Sequence, residues 1–94
     1  MKDALKIAMC QINIVSLDVQ TNRKNIEESF RNACEVAPEE KPDLVIFPEL
    51  SNSGYVFQRS RDFGNDYMRV AELIPEGGTS RLVSKLCRNY GVYC

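Results

Sequence analysis

The stretch "LVIFPELSNSGY", Leu44–Tyr55, decides how this chain is read. A continuous apolar run, Leu44 to Phe47, meets Pro48, and a single carboxylate, Glu49, follows at once. Such a run suits an interior parallel strand with layers on both faces, and the proline ends it. In open α/β sheets, sites gather beyond the carboxyl ends of the strands, so Glu49 stands where a working side chain would be held. Pro48 fixes the backbone just before it. Apolar neighbours such as Phe47 and Leu50 are expected to desolvate the carboxylate and raise its pKa toward neutrality, which would suit a general base. The ordinary alternative is a solvated or structural acid at a strand end.

Outward from this stretch the chain alternates strand and helix. Leu5 to Val15, "LKIAMCQINIV", sets Ile7, Met9 and Gln11 against Ala8, Cys10 and Ile12, a strand covered on at least one face. From Val19 the period becomes helical, with Val19, Ile26, Phe30, Ala33, Cys34 and Ala37 on one stripe. Pro38 and Pro42 close that helix, because each disfavours helix in the residue before it. The segment 52–65 reads as loop around Gly54 and Gly64, and "DYMRVAELI" as a short helix closed by Pro75. A further stripe of Leu82, Val83, Leu86, Cys87 and Tyr90 predicts a helix with Thr79 as N-cap and Gly91 as C-cap glycine. A third strand begins at Val92. The pattern is β-α-β-α-β, and a central strand of such a sheet needs more neighbours than three residues of a third strand supply, so the chain looks cut short.

Bulk properties narrow the function classes. The chain has 94 residues, 44% of them hydrophobic and 27% charged, which fits one ordinary globular domain or a piece of one. Twelve basic and thirteen acidic residues are interspersed, leaving no basic stripe for nucleic acid. Asp3, Lys6, Gln11 and Asn13 interrupt any export signal, and no apolar stretch is long enough to span a membrane. Reduced thiols and a cytoplasmic location are the matching expectation for Cys10, Cys34, Cys87 and Cys94. With no histidine in the chain, a tetrahedral zinc site would need all four cysteines, and they contain no C-x-x-C spacing. Cys10, Cys34 and Cys87 read as buried small hydrophobes, Lys41 and Lys85 as solvated lysines. No phosphate-binding glycine motif follows a strand, so a nucleotide-binding domain is disfavoured.

The segments "KIAMCQ", "DLVIFPELSNSGY" and "IPEGGTSRLVSKLCRNYGVY" resemble, in order and spacing, the N-terminal portion of nitrilase-superfamily carbon-nitrogen hydrolases. The resemblance covers essentially the whole chain, and its specific part is the F-P-E-L-x-x-x-G-Y run. It implies that residues 1–94 are a partial carbon-nitrogen hydrolase domain, the start of an α-β-β-α sandwich, and that Glu49 matches the glutamate of a Glu-Lys-Cys triad. In that family a cysteine thiol attacks a nitrile, amide or carbamoyl carbon, a thioester-type intermediate forms, and water hydrolyses it. A glutamate can serve as the base where histidine is absent, and the lysine stabilises the developing oxyanion. The resemblance implies no metal or cofactor, a small-molecule substrate and a homo-oligomer associating through helices. It also places the lysine and the nucleophilic cysteine beyond Cys94, so the chain alone is expected to be inactive. Tyr55 is either beside the substrate pocket or a packing aromatic in a loop turning at Gly54; Phe57 and Arg59 are weaker candidates. The alternative from another class is a non-catalytic interaction module that docks on a full-length relative or another chain.

Overall fold

The computed structural model describes residues 3–55 and 63–94. The order of elements is β1 (Ile7–Met9), α1 (Val19–Glu35), a 3₁₀ turn (Pro38–Glu40), β2 (Leu44–Ile46), α2 (Phe63–Val70) and α3 (Gly78–Tyr90). β1 and β2 pair in parallel, Ile7 opposite Leu44, Ala8 opposite Val45 and Met9 opposite Ile46. The expected third strand is present as a parallel bridge between Tyr93 and Leu44. It is closed by Val45 N–H to Tyr93 O at 2.8 Å and Tyr93 N–H to Asp43 O at 3.0 Å. β2 therefore lies in the middle, and the described chain is a small α/β unit.

α1 forms because Asn22, Ile26, Phe30 and Cys34 recur every fourth residue on one buried face. Its first turn is closed by Asp18, whose carboxylate accepts from the Thr21 N–H at 3.1 Å. α3 buries Leu86 and ends on Gly91, whose φ of 66° and N–H to Cys87 O make the expected left-handed cap. The core joins Cys10, Phe30, Cys34, Val45, Leu86 and Val92. Phe30 lies 6.3 Å from the Phe47 ring and 6.0 Å from Tyr90, centroid to centroid. Fully burying a side chain of this size contributes roughly 1.5–3 kcal/mol.

The apolar run 44–47 predicts cover on both faces, but the described residues cover one. The strands advance in one direction across the sheet, so each right-handed crossover places its helix on the same side. α1 and α3 pack against each other there. On the opposite face Ile7 is 50%, Met9 82% and Tyr93 79% exposed.

Three boundaries differ from the sequence reading. Regular pairing in the first strand covers Ile7–Met9 rather than Leu5–Val15, and Cys10 N–H to Ile46 O at 2.8 Å extends it by one bond. α2 begins at Phe63, inside the stretch read as loop, and stops at Val70 rather than Ile74. The chain turns instead around Glu72, with Gly77 N–H bonded to Leu73 O at 2.7 Å. Thr79 is not the N-cap of α3; Gly77 holds that position. The hydroxyl of Thr79 is already committed to Glu72.

Candidate functional site

Glu49 sits immediately past the carboxyl end of β2, after Phe47 and Pro48. Leu50 follows with φ 53°, in the left-handed region. This conformation is uncommon for a branched residue and turns the chain sharply behind the carboxylate. The turn closes through Gly54 N–H to Leu50 O at 2.8 Å and through the Ser51 hydroxyl donating to Pro48 O. Gly54 has φ 70°, and a Cβ there would lie 3.0 Å from Ser16 Cα and 3.2 Å from Ile14 Cγ2, so glycine is required on both counts. The result brings Tyr55 back over the turn, where its hydroxyl donates to Glu49 Oε2 at 2.6 Å.

The two candidate residues are therefore brought together, and both are exposed. The Glu49 carboxylate is exposed, contrary to the expectation of a sheltered acid, and Phe47 packs instead against Phe30 at the core. Tyr55 does not pack as a core aromatic either. Its phenol is pushed above the ordinary value chiefly by the hydrogen bond to Glu49, which favours the protonated donor. A groove of about 310 Å³, lined by Met9, Cys10, Gln11, Ile46, Phe47 and Pro48, runs along the carboxyl ends of β1 and β2 next to this corner. Phe57 and Arg59 lie outside the described residues.

The loop 48–55 is held by groups the sequence reading did not single out. Leu17 N–H bonds Ser53 O at 2.7 Å, and the Ser16 hydroxyl donates to Tyr55 O at 2.9 Å. Asn22, fully buried, accepts from Val15 N–H at 2.8 Å and donates to Val15 O at 2.8 Å and Asn52 O at 2.9 Å. From the other side Glu72 receives the Asn52 amide on Oε2 at 3.2 Å. The same carboxylate accepts from Arg23 Nη2 and from Thr79 N–H, both at 2.8 Å on Oε1, and from the Thr79 hydroxyl at 2.6 Å on Oε2. Burial alone would raise the Glu72 pKa, but Thr79, Asn52 and Arg23 outweigh it and hold the carboxyl at about 2. A polar residue at position 22, in register with Ile26, Phe30 and Cys34, was the legible clue to Asn22. The pair Gly77-Gly78 was the clue to Glu72: a Cβ on Gly77 would lie 2.7 Å from Glu72 Cβ, and one on Gly78 2.6 Å from Arg23 Cζ.

The cysteines fall where packing places them. Cys10 and Cys34 are buried in the core, Cys87 is half-buried against it, and Cys94 is exposed. Burial pushes the Cys34 and Cys87 thiols up, away from the thiolate a nucleophile needs. Lys41 and Lys85 are both exposed, and the Lys41 ammonium also donates to the Tyr90 carbonyl at the C-terminus of α3. No helix among the described residues is long and apolar enough to cross a membrane.

A sequence model of the family described as carbon-nitrogen hydrolase matches residues 6–94. A protein named nitrilase from Pyrococcus abyssi is 29% identical over 89 residues, covering 95% of this chain and 31% of its own length. A protein named probable nitrilase from Schizosaccharomyces pombe is 30% identical over 86 residues, covering 92% of this chain and 29% of its own length. The chain thus spans under a third of the curated relatives it matches. With the strand-end glutamate and the parallel α/β frame already in place, that match over nearly every residue establishes that the chain belongs to the carbon-nitrogen hydrolase family, within the nitrilase superfamily.

Proposed function

We propose that Glu49 is the general base of a carbon-nitrogen hydrolase and that residues 1–94 form one part of its domain. The observation that carries this is the carboxylate of Glu49 at the end of β2, reachable from solvent and held by the Tyr55 hydroxyl at 2.6 Å. In the reaction, the carboxylate takes the proton of a cysteine thiol, and the thiolate attacks the carbon of a nitrile, amide or carbamoyl group. A lysine stabilises the negative charge on the tetrahedral centre. The centre collapses as its C–N bond breaks, the proton held by Glu49 passing to the departing ammonia or amine; a nitrile first adds one water at its thioimidate. The carboxylate so regenerated activates the water that releases the acid from the thioester-type intermediate. The lysine and cysteine come from sequence beyond residue 94, and a second sheet of an α-β-β-α sandwich covers the face carrying Ile7, Met9 and Tyr93. Tyr55 borders the substrate. The complete enzyme is a cytoplasmic homo-oligomer acting on a small molecule without metal or cofactor.

The test compares the 94-residue chain with a version extended through a family lysine and cysteine. The chain alone releases no ammonia from nitriles or amides; the extended protein does, and Glu49→Gln abolishes its turnover. Turnover by the chain alone, or full activity of the extended Glu49→Gln variant, refutes the reading.

The exposed apolar sheet face favours a second reading, an interaction module docking on a full-length relative. Size-exclusion chromatography with that relative separates the two, because a module forms a defined complex and an isolated part of an enzyme does not.

A further inference from the structure

Two features remain unexplained by the proposed chemistry: the groove beside Pro48 and the polar cluster around Glu72. The cluster carries an inference of its own. We propose that Glu72 is a positioning residue, which through the side chain of Asn52 fixes loop 48–55 and so presents the Glu49 carboxylate in one orientation. This rests on the reading of Glu49 as the base.

The geometry separates Glu72 from any direct role in the chemistry. Each of its oxygens already accepts two hydrogen bonds: Arg23 and the Thr79 amide on Oε1, the Thr79 hydroxyl and Asn52 on Oε2. Its side chain is 15% exposed. No lone pair remains to take a proton from a substrate or a thiol, and a carboxyl held at about 2 is a poor base near neutral pH.

Its partners come from three separate parts of the chain. Arg23 is on α1 and Thr79 in the first turn of α3, two elements that pack together and form the rigid helix layer. Asn52 is in the loop, three residues from Glu49 and three from Tyr55. The Asn52 side chain is the link between the helix layer and the loop on this side, while its backbone carbonyl is held by Asn22 on the other. Clamped from both sides, the peptide around Asn52 cannot rotate, and the turn through Leu50 to Gly54 that places Tyr55 over Glu49 is kept in a single form. Gly77 and Gly78 are part of the device, since side chains there would collide with Glu72 and Arg23. Orientation at this level matters because a base displaced by about an ångström loses much of its rate advantage.

The test uses the 94-residue chain and needs no turnover. The phenol of Tyr55 is titrated by NMR in protein labelled at tyrosine, in the wild type and in Glu49→Gln, Asn52→Ala and Glu72→Gln. The Tyr55–Glu49 bond raises the wild-type titration, and Glu49→Gln returns it toward the ordinary value of about 10. Asn52→Ala touches neither residue and leaves Arg23, Thr79 and Glu72 joined, yet it is expected to produce at least half the Glu49→Gln shift, with an otherwise unchanged amide spectrum. Glu72→Gln is expected to move Tyr55 in the same direction; should it unfold the chain, Asn52→Ala decides alone. A Tyr55 titration in Asn52→Ala identical to wild type overturns the proposal while leaving Glu49 as the base. A Tyr55 titration unmoved by Glu49→Gln removes the contact itself and overturns the proposal, whereas the reading of Glu49 as the base falls only with full activity of the extended Glu49→Gln variant or turnover by the chain alone.

Discussion

Glu49 and Glu72 are two acids a few residues to either side of Tyr55 and α2, and the chain treats them in opposite ways. Glu72 is enclosed between α1 and α3 with four donors on its two oxygens. Glu49 stands exposed at a strand end, and among the described residues its hydrogen-bond partner is Tyr55. The saturated carboxylate joins elements of structure; the reachable one keeps lone pairs for a proton. Free energy follows the same division, because removing a partly buried acid strands its donors, whereas changing an exposed one strands little.

The comparison breaks most easily at Glu72. Glu72→Ala leaves the Arg23 guanidinium, the Thr79 amide and the Asn52 amide without their acceptor, and is expected to cost roughly 2–3 kcal/mol in urea unfolding at pH 7. A loss below roughly 0.5 kcal/mol would show that the carboxylate is not the joint described here.

The same acid sets a pH dependence with a definite sign. Its pKa is depressed from 4.5 to about 2 on folding, so its contribution is fully present above pH 4.5 and lost as pH falls toward 2. Wild-type urea midpoints should drop between pH 5 and pH 2.5, and the drop should be shallower in Glu72→Gln. Equal slopes in the two proteins would contradict the assignment.

Asn22 tests the opposite clamp of the loop. Asn22→Ala leaves Val15 N–H and the Asn52 carbonyl without partners and Val15 O with the Asp18 N–H at 3.3 Å, at an expected cost of about 2 kcal/mol. Gly54→Ala forces a Cβ into a left-handed residue and against Ser16, for about 1–2 kcal/mol. The smallest effect belongs to Glu49→Gln, expected within about 0.5 kcal/mol of wild type. A large destabilisation there would make Glu49 a structural acid and erase the contrast with Glu72.

Much of the frame was legible in the sequence because local rules govern it. The helical stripe from Ile26 to Cys34, the Gly91 cap and the apolar β2 each carry a period or a residue type that short-range physics reads directly. Of the site, Glu49 and Tyr55 were visible from the strand-end position and the F-P-E-L-x-x-x-G-Y run. Asn22 and Glu72 left only indirect signs, a polar residue on an apolar stripe and the Gly77-Gly78 pair, and Asn52 left none, since their partners lie 7 to 49 residues away and a hydrogen bond between distant side chains leaves no local pattern. Sequence reasoning also put Thr79 at the head of α3, a fair choice for its residue type, but a carboxylate seven residues earlier had already claimed both its amide and its hydroxyl.

The order of residues by itself determined the alternation of strand and helix, the place of Glu49 beyond β2 and the family to which the chain belongs. Tertiary structure alone decided which acid is locked and which is reachable, and which sheet face is covered. Burial and hydrogen-bond saturation depend on what other segments bring into contact, and the right-handed crossovers that put α1 and α3 on one side of the sheet left its other side open among the described residues.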